Sequence, residues 1–257
     1  MLISVVTVCY NAKDILEETI LSVISQTYKE LEYIVIDGGS KDGTLSIVKK
    51  YESDISFFIS EPDKGIYDAM NKGVKAAKGD YILFMNSGDC FYSDTTLEDW
   101  GAYINNENAD VYYGDCIYKY PYGDRYMKAL PLKGIRRMMV FSHQSVMVAA
   151  SILKNRLFDI RYRFAADYDF LLRCYLEGRR FVYSPLPISI VEMDRGATAS
   201  NFHESKMEVL RIHHSCGYSW YNRLLIYFRM MFTYNLHSIV KYVIPSSCVA
   251  IIQSKKK

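Results

Sequence analysis

Residues 79–91 read GDYILFMNSGDCF. The run through Met85 is apolar and uninterrupted, as in a strand buried on both faces. It stops at Asn86-Ser87-Gly88-Asp89, four turn-forming residues in a row. The same design occurs three times upstream. ISVVTV (3–8) leads into Tyr10, LEYIVI (31–36) into DGGSKDGT (37–44), and ISFFIS (55–60) into EPDKG (61–65). Between these runs the apolar period changes to that of a helix. Ile15, Leu16, Thr19, Ile20, Val23 and Ile24 mark one helix over 14–26, TLSIVKKY opens a second, and IYDAMNKGVKAA (66–77) is a third. Strands alternating with helices predict βαβ units: an α/β, Rossmann-like domain with a mostly parallel mixed sheet flanked by helices. Ligands of such sheets bind beyond the carboxyl ends of the strands. The loops at Tyr10, Asp37, Glu61 and Asn86 therefore belong to one rim.

The second half is less regular. VYYGD (111–115), SHQSVMV (142–148), RFVYS (180–184) and ISIVEM (188–193) read as extended, and DYDFLLRCYLEG (167–178) as a helix with a glycine stop. Residues 116–140 are rich in tyrosine and basic side chains. One or two helices are expected over 203–236.

The bulk properties exclude several classes. The chain has 257 residues, enough for a large core, and half are hydrophobic, so it is globular rather than disordered. A net charge of +2 gives no footprint for nucleic acid. The charge is uneven: from His203 to Lys257 there are eight Lys/Arg against two Asp/Glu. The 23 tyrosines supply flat amphipathic surface of the kind that suits sugars, bases and interfaces. No two of the six cysteines form a C-x-x-C pair, which points to reduced thiols and a cytoplasmic setting. MLISVVTVCY has no basic leader ahead of its apolar run, which argues against a signal peptide. No stretch is long and apolar enough for a transmembrane helix.

The rim loops carry the candidate chemistry. Cys9-Tyr10-Asn11 replaces any G-x-G-x-x-G, and no G-x-x-x-x-G-K-[ST] follows, so neither a dinucleotide fingerprint nor a phosphate-binding P-loop is present. Asp37, at the end of the second strand, can accept from a nucleobase N–H or a ribose hydroxyl; its bland alternative is a turn or cap, as for Ser40 and Asp42. Lys64, beside Asp63, suits a diphosphate. Asp89 is placed to hold a cation, and Gly88 to let a diphosphate approach. Asp167 and Asp169 open a helix, where acidic residues are favoured in any case. Their spacing points them in different directions, so one is expected to serve the site and the other the structure. His143 is either a site contact or a locally satisfied histidine.

Taken in order, ISVVTVCYNA, QTYKELEYIVIDGGSKDGT, SEPDKGIYDAMNKGVKAAKGDYILFMNSGD and AADYDFLLR resemble glycosyltransferase family 2, notably its bacterial colanic-acid, capsule and O-antigen members. The resemblance covers roughly residues 1–195. It implies the GT-A fold, a nucleotide-diphosphate-sugar donor, Mg²⁺ or Mn²⁺, and inversion at the anomeric carbon. Carried over by position, it puts Thr7, Tyr10, Asp37 and Asp63 on the nucleoside edge, Asn86 and Gly88 beside Asp89 as the remnant of an acidic metal motif, and Asp167 as the catalytic base. Two positions depart from the pattern. Asn86-Ser87-Gly88-Asp89 keeps one carboxylate where many relatives show D-x-D-D, and Ala166 stands where a glutamate is usual. A binding protein that has lost turnover is the alternative; a nucleotidyltransferase lacks support, since its glycine-rich basic loop is missing. The expected organisation is a catalytic domain over 1–202, with a nucleotide-sugar half (1–115) and an acceptor half (116–202), followed by a basic amphipathic tail over 203–257. That tail is expected to lie on the inner face of the plasma membrane or to form a packing or homodimer contact. The acceptor is expected to be a saccharide or lipid-linked saccharide.

Overall fold

The computed structural model describes residues 1–104, 108–193 and 201–228. Contacts divide the chain into two compact units, Met1–Ser205 and Lys206–Lys257.

The first unit is built on one nine-stranded sheet. Its first half follows the alternation of the sequence: β1 (Ile3–Cys9), α1 (Leu16–Ile24), β2 (Leu31–Asp37), α2 (Thr44–Lys50), β3 (Phe57–Ser60), α3 (Ile66–Ala76) and β4 (Tyr81–Phe84). Then come β5 (Cys90–Phe91), α4 (Thr96–Ile104), β6 (Val111–Lys119), β7 (Arg125–Met127), β8 (Val146–Ala149), α5 (Ala150–Asn155), α6 (Ala166–Leu176) and β9 (Phe181–Glu192). The strand order is β3-β2-β1-β4-β8-β6-β9-β5, with β7 paired to β6. Pairing is parallel across β3-β2-β1-β4 and between β6 and β9, and antiparallel for β4-β8, β8-β6, β9-β5 and β6-β7.

β1 and β2 are buried along almost their whole length, which is why they read as continuous apolar runs rather than alternating ones. One face packs on α1 and α4, through Leu16, Ile20, Val23, Leu97, Trp100 and Ile104 against Ile3, Val5, Tyr33 and Val35.

The register builds the rim. Cys9 is paired with Asp37, and Asp37 with Ser60, so three strands end in one row. The chain beyond β4 continues beside β1, with Met85 N–H donating to the Val6 carbonyl (3.0 Å) and Ser87 N–H to that of Val8 (3.2 Å). β8 runs the other way, pairing Met147 with Leu83. Residues 143–145, which precede it as a 3₁₀ turn rather than extended chain, therefore lie next to Asn86.

RFVYS and ISIVEM are one strand, β9, not two. Ser184 pairs with Gly114, but Pro187 pairs with Asp115 and Ser189 with Cys116, so β9 carries extra residues against β6. Pro185 and Pro187 lack ladder donors, and the bulge is where a strand tolerates them.

In the second unit, the helix that begins at Phe202 ends at Ser215. His213 there stacks on Tyr218 at 4.7 Å between ring centroids. A further helix over 220–228 exposes Trp220, Tyr221, Leu224, Leu225 and Phe228. No helix among the described residues is long and apolar enough to cross a membrane. Most of the tail, with Lys241 and Lys255-Lys256-Lys257, lies outside the described residues.

Candidate active site

Two of the residues expected on the nucleoside edge turn inward. Thr7 is fully buried, its hydroxyl donating to the Met85 carbonyl (2.7 Å) and lying 3.1 Å from the Tyr33 hydroxyl. Asp37 is also fully buried. Its Oδ2 accepts from Gly39 N–H (3.0 Å), Ser40 N–H (2.9 Å) and the Ser60 hydroxyl (2.6 Å), while Oδ1 accepts from the Ser40 hydroxyl and faces the Cys9 thiol at 3.6 Å. Burial works against this charge, but the hydrogen bonds from Ser40, Ser60 and Gly39 outweigh it and hold the carboxyl below the ordinary range. These side chains offer no face to a ligand. Asp37 ties the ends of β1, β2 and β3 together and shapes the loop behind it.

The accessible part of that edge is Tyr10, which is exposed, and Asp63, which is half-buried. Tyr10 is 64% exposed. Asp63 Oδ1 accepts from Gly65 N–H at 2.8 Å. Its Oδ2 lies over Gly38 so closely that a Cβ there would overlap it, and the Tyr10 ring would be 3.3 Å from the same atom. Gly38 is thus the floor between an exposed ring and a carboxylate oxygen. Lys64 is exposed beside them, its N–H donating to Asp68 at 3.0 Å just before α3.

Across the rim, the NSGD turn is held from below and from the side. Gly88 has φ +95°, a left-handed conformation that suits glycine, and its N–H donates to the Thr19 hydroxyl at 2.9 Å. Asp89 is buried and accepts from Gln144 Nε2 at 2.8 Å. Gln144 is itself oriented by the Ser142 hydroxyl, which donates to its Oε1 at 2.5 Å. Burial pushes the Asp89 carboxyl up to about 7, opposed by the hydrogen bonds from Gln144 and from the Glu192 backbone. Asn86 is buried too; its Nδ2 stands 3.1 Å from His143 Nε2, and its Oδ1 has no partner.

His143 links this turn to Asp167, at the start of α6. His143 Nδ1 faces Asp167 Oδ2 at 3.6 Å, and Tyr67 on α3 donates to Asp167 Oδ1 at 2.8 Å. Burial lowers the His143 pKa below its ordinary value; the Asp167 charge opposes this. Asp169 goes the other way: it is buried and takes both oxygens to Arg173 Nε at 3.0 Å, a pairing one turn along the helix. Sequence reasoning passed over Tyr67 and Gln144. Nothing in their local pattern marks them, because each is brought in by an element far away in sequence.

The residues suit a cation in part. No group of three His, Cys, Asp or Glu stands together among the described residues. The NSGD turn instead offers one buried carboxylate and one buried amide oxygen without a partner. That donor set fits a hard cation whose remaining positions are filled by diphosphate and water oxygens.

A mixed sheet of this strand order, flanked by helices and with its loops gathered on one rim, is the fold of the GT-A glycosyltransferases. The profile for glycosyl transferase family 2 matches residues 4–161, and the chain belongs to that family. A PGL/p-HBAD biosynthesis glycosyltransferase of Mycobacterium bovis is 30% identical over 177 residues, covering 67% of this chain and 69% of the relative. An uncharacterized glycosyltransferase of Mycobacterium tuberculosis is 31% identical over 213 residues, covering 80% and 79%. Among solved structures, S. aureus TarS in complex with UDP-GlcNAc superposes with a TM-score of 0.67 at 21% identity, covering 88% of this chain and 70% of that one. A Pyrobaculum calidifontis mannosyltransferase with GDP-Man and Mn²⁺ gives 0.65 at 15%, covering 99% and 79%. At these identities the likeness shows the fold alone.

Proposed function

We propose that the chain is an inverting glycosyltransferase that moves a hexosyl or N-acetylhexosaminyl group from a nucleotide-diphosphate sugar to a saccharide or lipid-linked saccharide, in surface polysaccharide or glycolipid assembly. The observation that carries this reading is the His143 link, which sets Asp167 opposite the Asn86–Asp89 turn at one rim. The solved neighbours with UDP-GlcNAc and with GDP-Man and Mn²⁺ support a donor of the same class and a divalent cation.

Each group then has a task. Tyr10 presents a ring face to the base, and Asp63 Oδ2 an acceptor to a base N–H. Lys64 lies on the diphosphate side. Gly88 turns the backbone so that the diphosphate can come close. Asp89, with Gln144 holding one oxygen, would hold Mg²⁺ or Mn²⁺, which when bound would supply positive charge against that developing on the leaving diphosphate. Asp167 takes the proton of the acceptor hydroxyl as its oxygen attacks the anomeric carbon; the nucleoside diphosphate leaves from the opposite face, giving inversion. General-base help of this kind is worth about 10²–10⁴-fold. Residues 116–202 form the acceptor side. There Tyr120 and Tyr122 stack at 5.0 Å, with Tyr122 72% exposed, a surface suited to a sugar ring. The tail is read as a peripheral contact with the cytoplasmic face of the plasma membrane: exposed apolar side chains on 220–228 are followed by an excess of basic residues.

The test is incubation with a panel of nucleotide sugars, a mixed acceptor pool and Mn²⁺ or Mg²⁺, reading released nucleoside diphosphate. Release with one donor supports the reading. Tight binding of a nucleotide sugar without release under any condition would favour the second reading, a binding protein, for which the loss of carboxylates at Asn86 and Gly88 is the observation.

A further inference from the structure

We infer that Asn86 and His143 form a positioning pair for Asp167: the Asn86 amide N–H holds the His143 imidazole in its Nδ1–H tautomer, so that the ring presents an N–H, not a lone pair, to the base. This deepens the assignment of Asp167 and rests on it for its catalytic meaning.

A neutral imidazole carries one ring proton, and its position is set by what each nitrogen faces. Here Nε2 faces Asn86 at 3.1 Å and Nδ1 faces Asp167 Oδ2 at 3.6 Å. A proton on Nε2 would leave the Nδ1 lone pair opposed to a carboxylate oxygen. It would also require Asn86 to present its oxygen to the ring, leaving a buried amide N–H₂ without an acceptor. A proton on Nδ1 removes both problems. Asn86 then donates to Nε2, and the atom left without a partner is its Oδ1, which is the orphan observed. Under-satisfied oxygens are the more tolerable kind.

At 3.6 Å the Nδ1–H contact is longer than a hydrogen bond, whose usual range ends near about 3.2 Å. Catalytic hydrogen bonds are often long before ligands arrive and tighten afterwards. On closing, both oxygens of Asp167 would have a donor, Tyr67 on Oδ1 and His143 on Oδ2. The plane of the carboxylate would be fixed, with lone pairs left for the acceptor hydroxyl. The pair also accounts for an amide at position 86. A carboxylate there has no proton to give and can only accept from the ring, which imposes the opposite tautomer.

The experiment has two arms. In the first, long-range ¹H–¹⁵N correlation at a pH above the imidazole titration reads which nitrogen is protonated in each of the five histidines, with His143 identified by its loss in His143→Asn. The expected result is Nδ1–H for His143, with a measurable Nε2–H fraction appearing in Asn86→Leu, where Asp167 alone biases the ring. In the second, turnover is followed with whichever nucleotide sugar the protein uses. His143→Asn keeps an amide where Nδ1 stood, and His143→Gln keeps one where Nε2 stood. Turnover number is expected to fall tenfold or more in His143→Gln and by less than about threefold in His143→Asn, with nucleoside-diphosphate affinity unchanged in both. An Nε2–H tautomer in the unaltered protein overturns the pair, as does His143→Gln matching His143→Asn, or a loss confined to nucleotide affinity. If no donor is turned over, the functional reading fails, while the tautomer still decides the Asn86–His143 arrangement.

Discussion

Asp37→Ala should behave as a stability mutation rather than a binding one. The carboxylate is inaccessible and accepts from two backbone N–H groups and two serine hydroxyls. The hydroxyls can rotate to other acceptors; the N–H groups of Gly39 and Ser40 cannot. Leaving the buried Ser40 donor unsatisfied costs about 1–3 kcal/mol and the half-buried Gly39 donor less, so a loss of about 1–4 kcal/mol is expected. That is a large share of the ~5–15 kcal/mol typical of a folded domain. The effect should depend on pH in a defined direction. The folded carboxyl lies below its unfolded value, so its contribution is complete above the ordinary aspartate range near ~3.9 and disappears as pH falls through the lower folded value. Urea denaturation at several pH values measures this, with uridine and guanosine diphosphate titrations alongside. The difference between Asp37→Ala and the unaltered chain should be full at pH 7 and shrink below pH ~4. A loss under about 1 kcal/mol at pH 7, combined with a tenfold fall in nucleotide affinity, would show that Asp37 touches the ligand and that its burial has been misread.

Gly38→Ala should displace the Asp63 carboxylate and weaken nucleoside-diphosphate binding about 10–100-fold, the equivalent of one charged hydrogen bond, with little change in melting temperature; unchanged calorimetric affinity removes Asp63 from the site. Asp167→Asn should cut turnover by about 10²-fold or more while sparing donor affinity, whereas Asp169→Asn should mainly destabilise by loosening Arg173; the reverse outcome exchanges their roles. Asp89 binds its proton more tightly folded than unfolded, so its contribution is largest at low pH and falls as pH rises toward about 7. Asp89→Asn should therefore stabilise the metal-free protein at pH 8 by about 1–3 kcal/mol while abolishing metal-dependent transfer; full transfer in excess chelator defeats the metal role. Full-length protein should sediment with anionic vesicles at low salt, each basic residue adding ~1 kcal/mol, and Trp220→Ser combined with Phe228→Ser should reduce this; a protein that stays in the supernatant throughout points to a packing or dimer role for the tail.

The parts of the fold legible in the sequence are those whose pattern is local. β1, β2 and β4 are short, buried along almost their whole length and rich in β-branched or apolar residues, so each announces itself, and a parallel sheet follows from their spacing. β5 has two residues and no period to detect. α4 carries only a weak signal, Leu97, Trp100 and Ile104 on one face, interrupted by acidic and small residues. RFVYS and ISIVEM look like two strands in the sequence, with Pro185 and Pro187 between them, but the bulge against β6 absorbs both prolines within one strand.

The same distinction governs the site. Position along the chain was enough to put the loops of Tyr10, Asp63 and Asn86 on one rim, because strand ends share a rim whatever their side chains do; Asp167, at the start of a helix, was assigned to the site by the family resemblance. It was not enough to say which carboxylates face a ligand. Asp37 looked like a contact because it ends a strand; register instead pairs it with Cys9 and Ser60 and closes serine hydroxyls and backbone N–H groups around it. Asp63 was expected on the nucleoside edge, and the sequence carries no sign of how Gly38 leaves room for its oxygen beside Tyr10. The antiparallel entry of β8 matters most. By running against β4 it delivers His143 and Gln144 to the Asn86–Asp89 turn from the other half of the domain. A wholly parallel sheet would place the start of that strand at the opposite edge, and Asp167 on α6 would have no side chain connecting it to the Asn86–Asp89 turn.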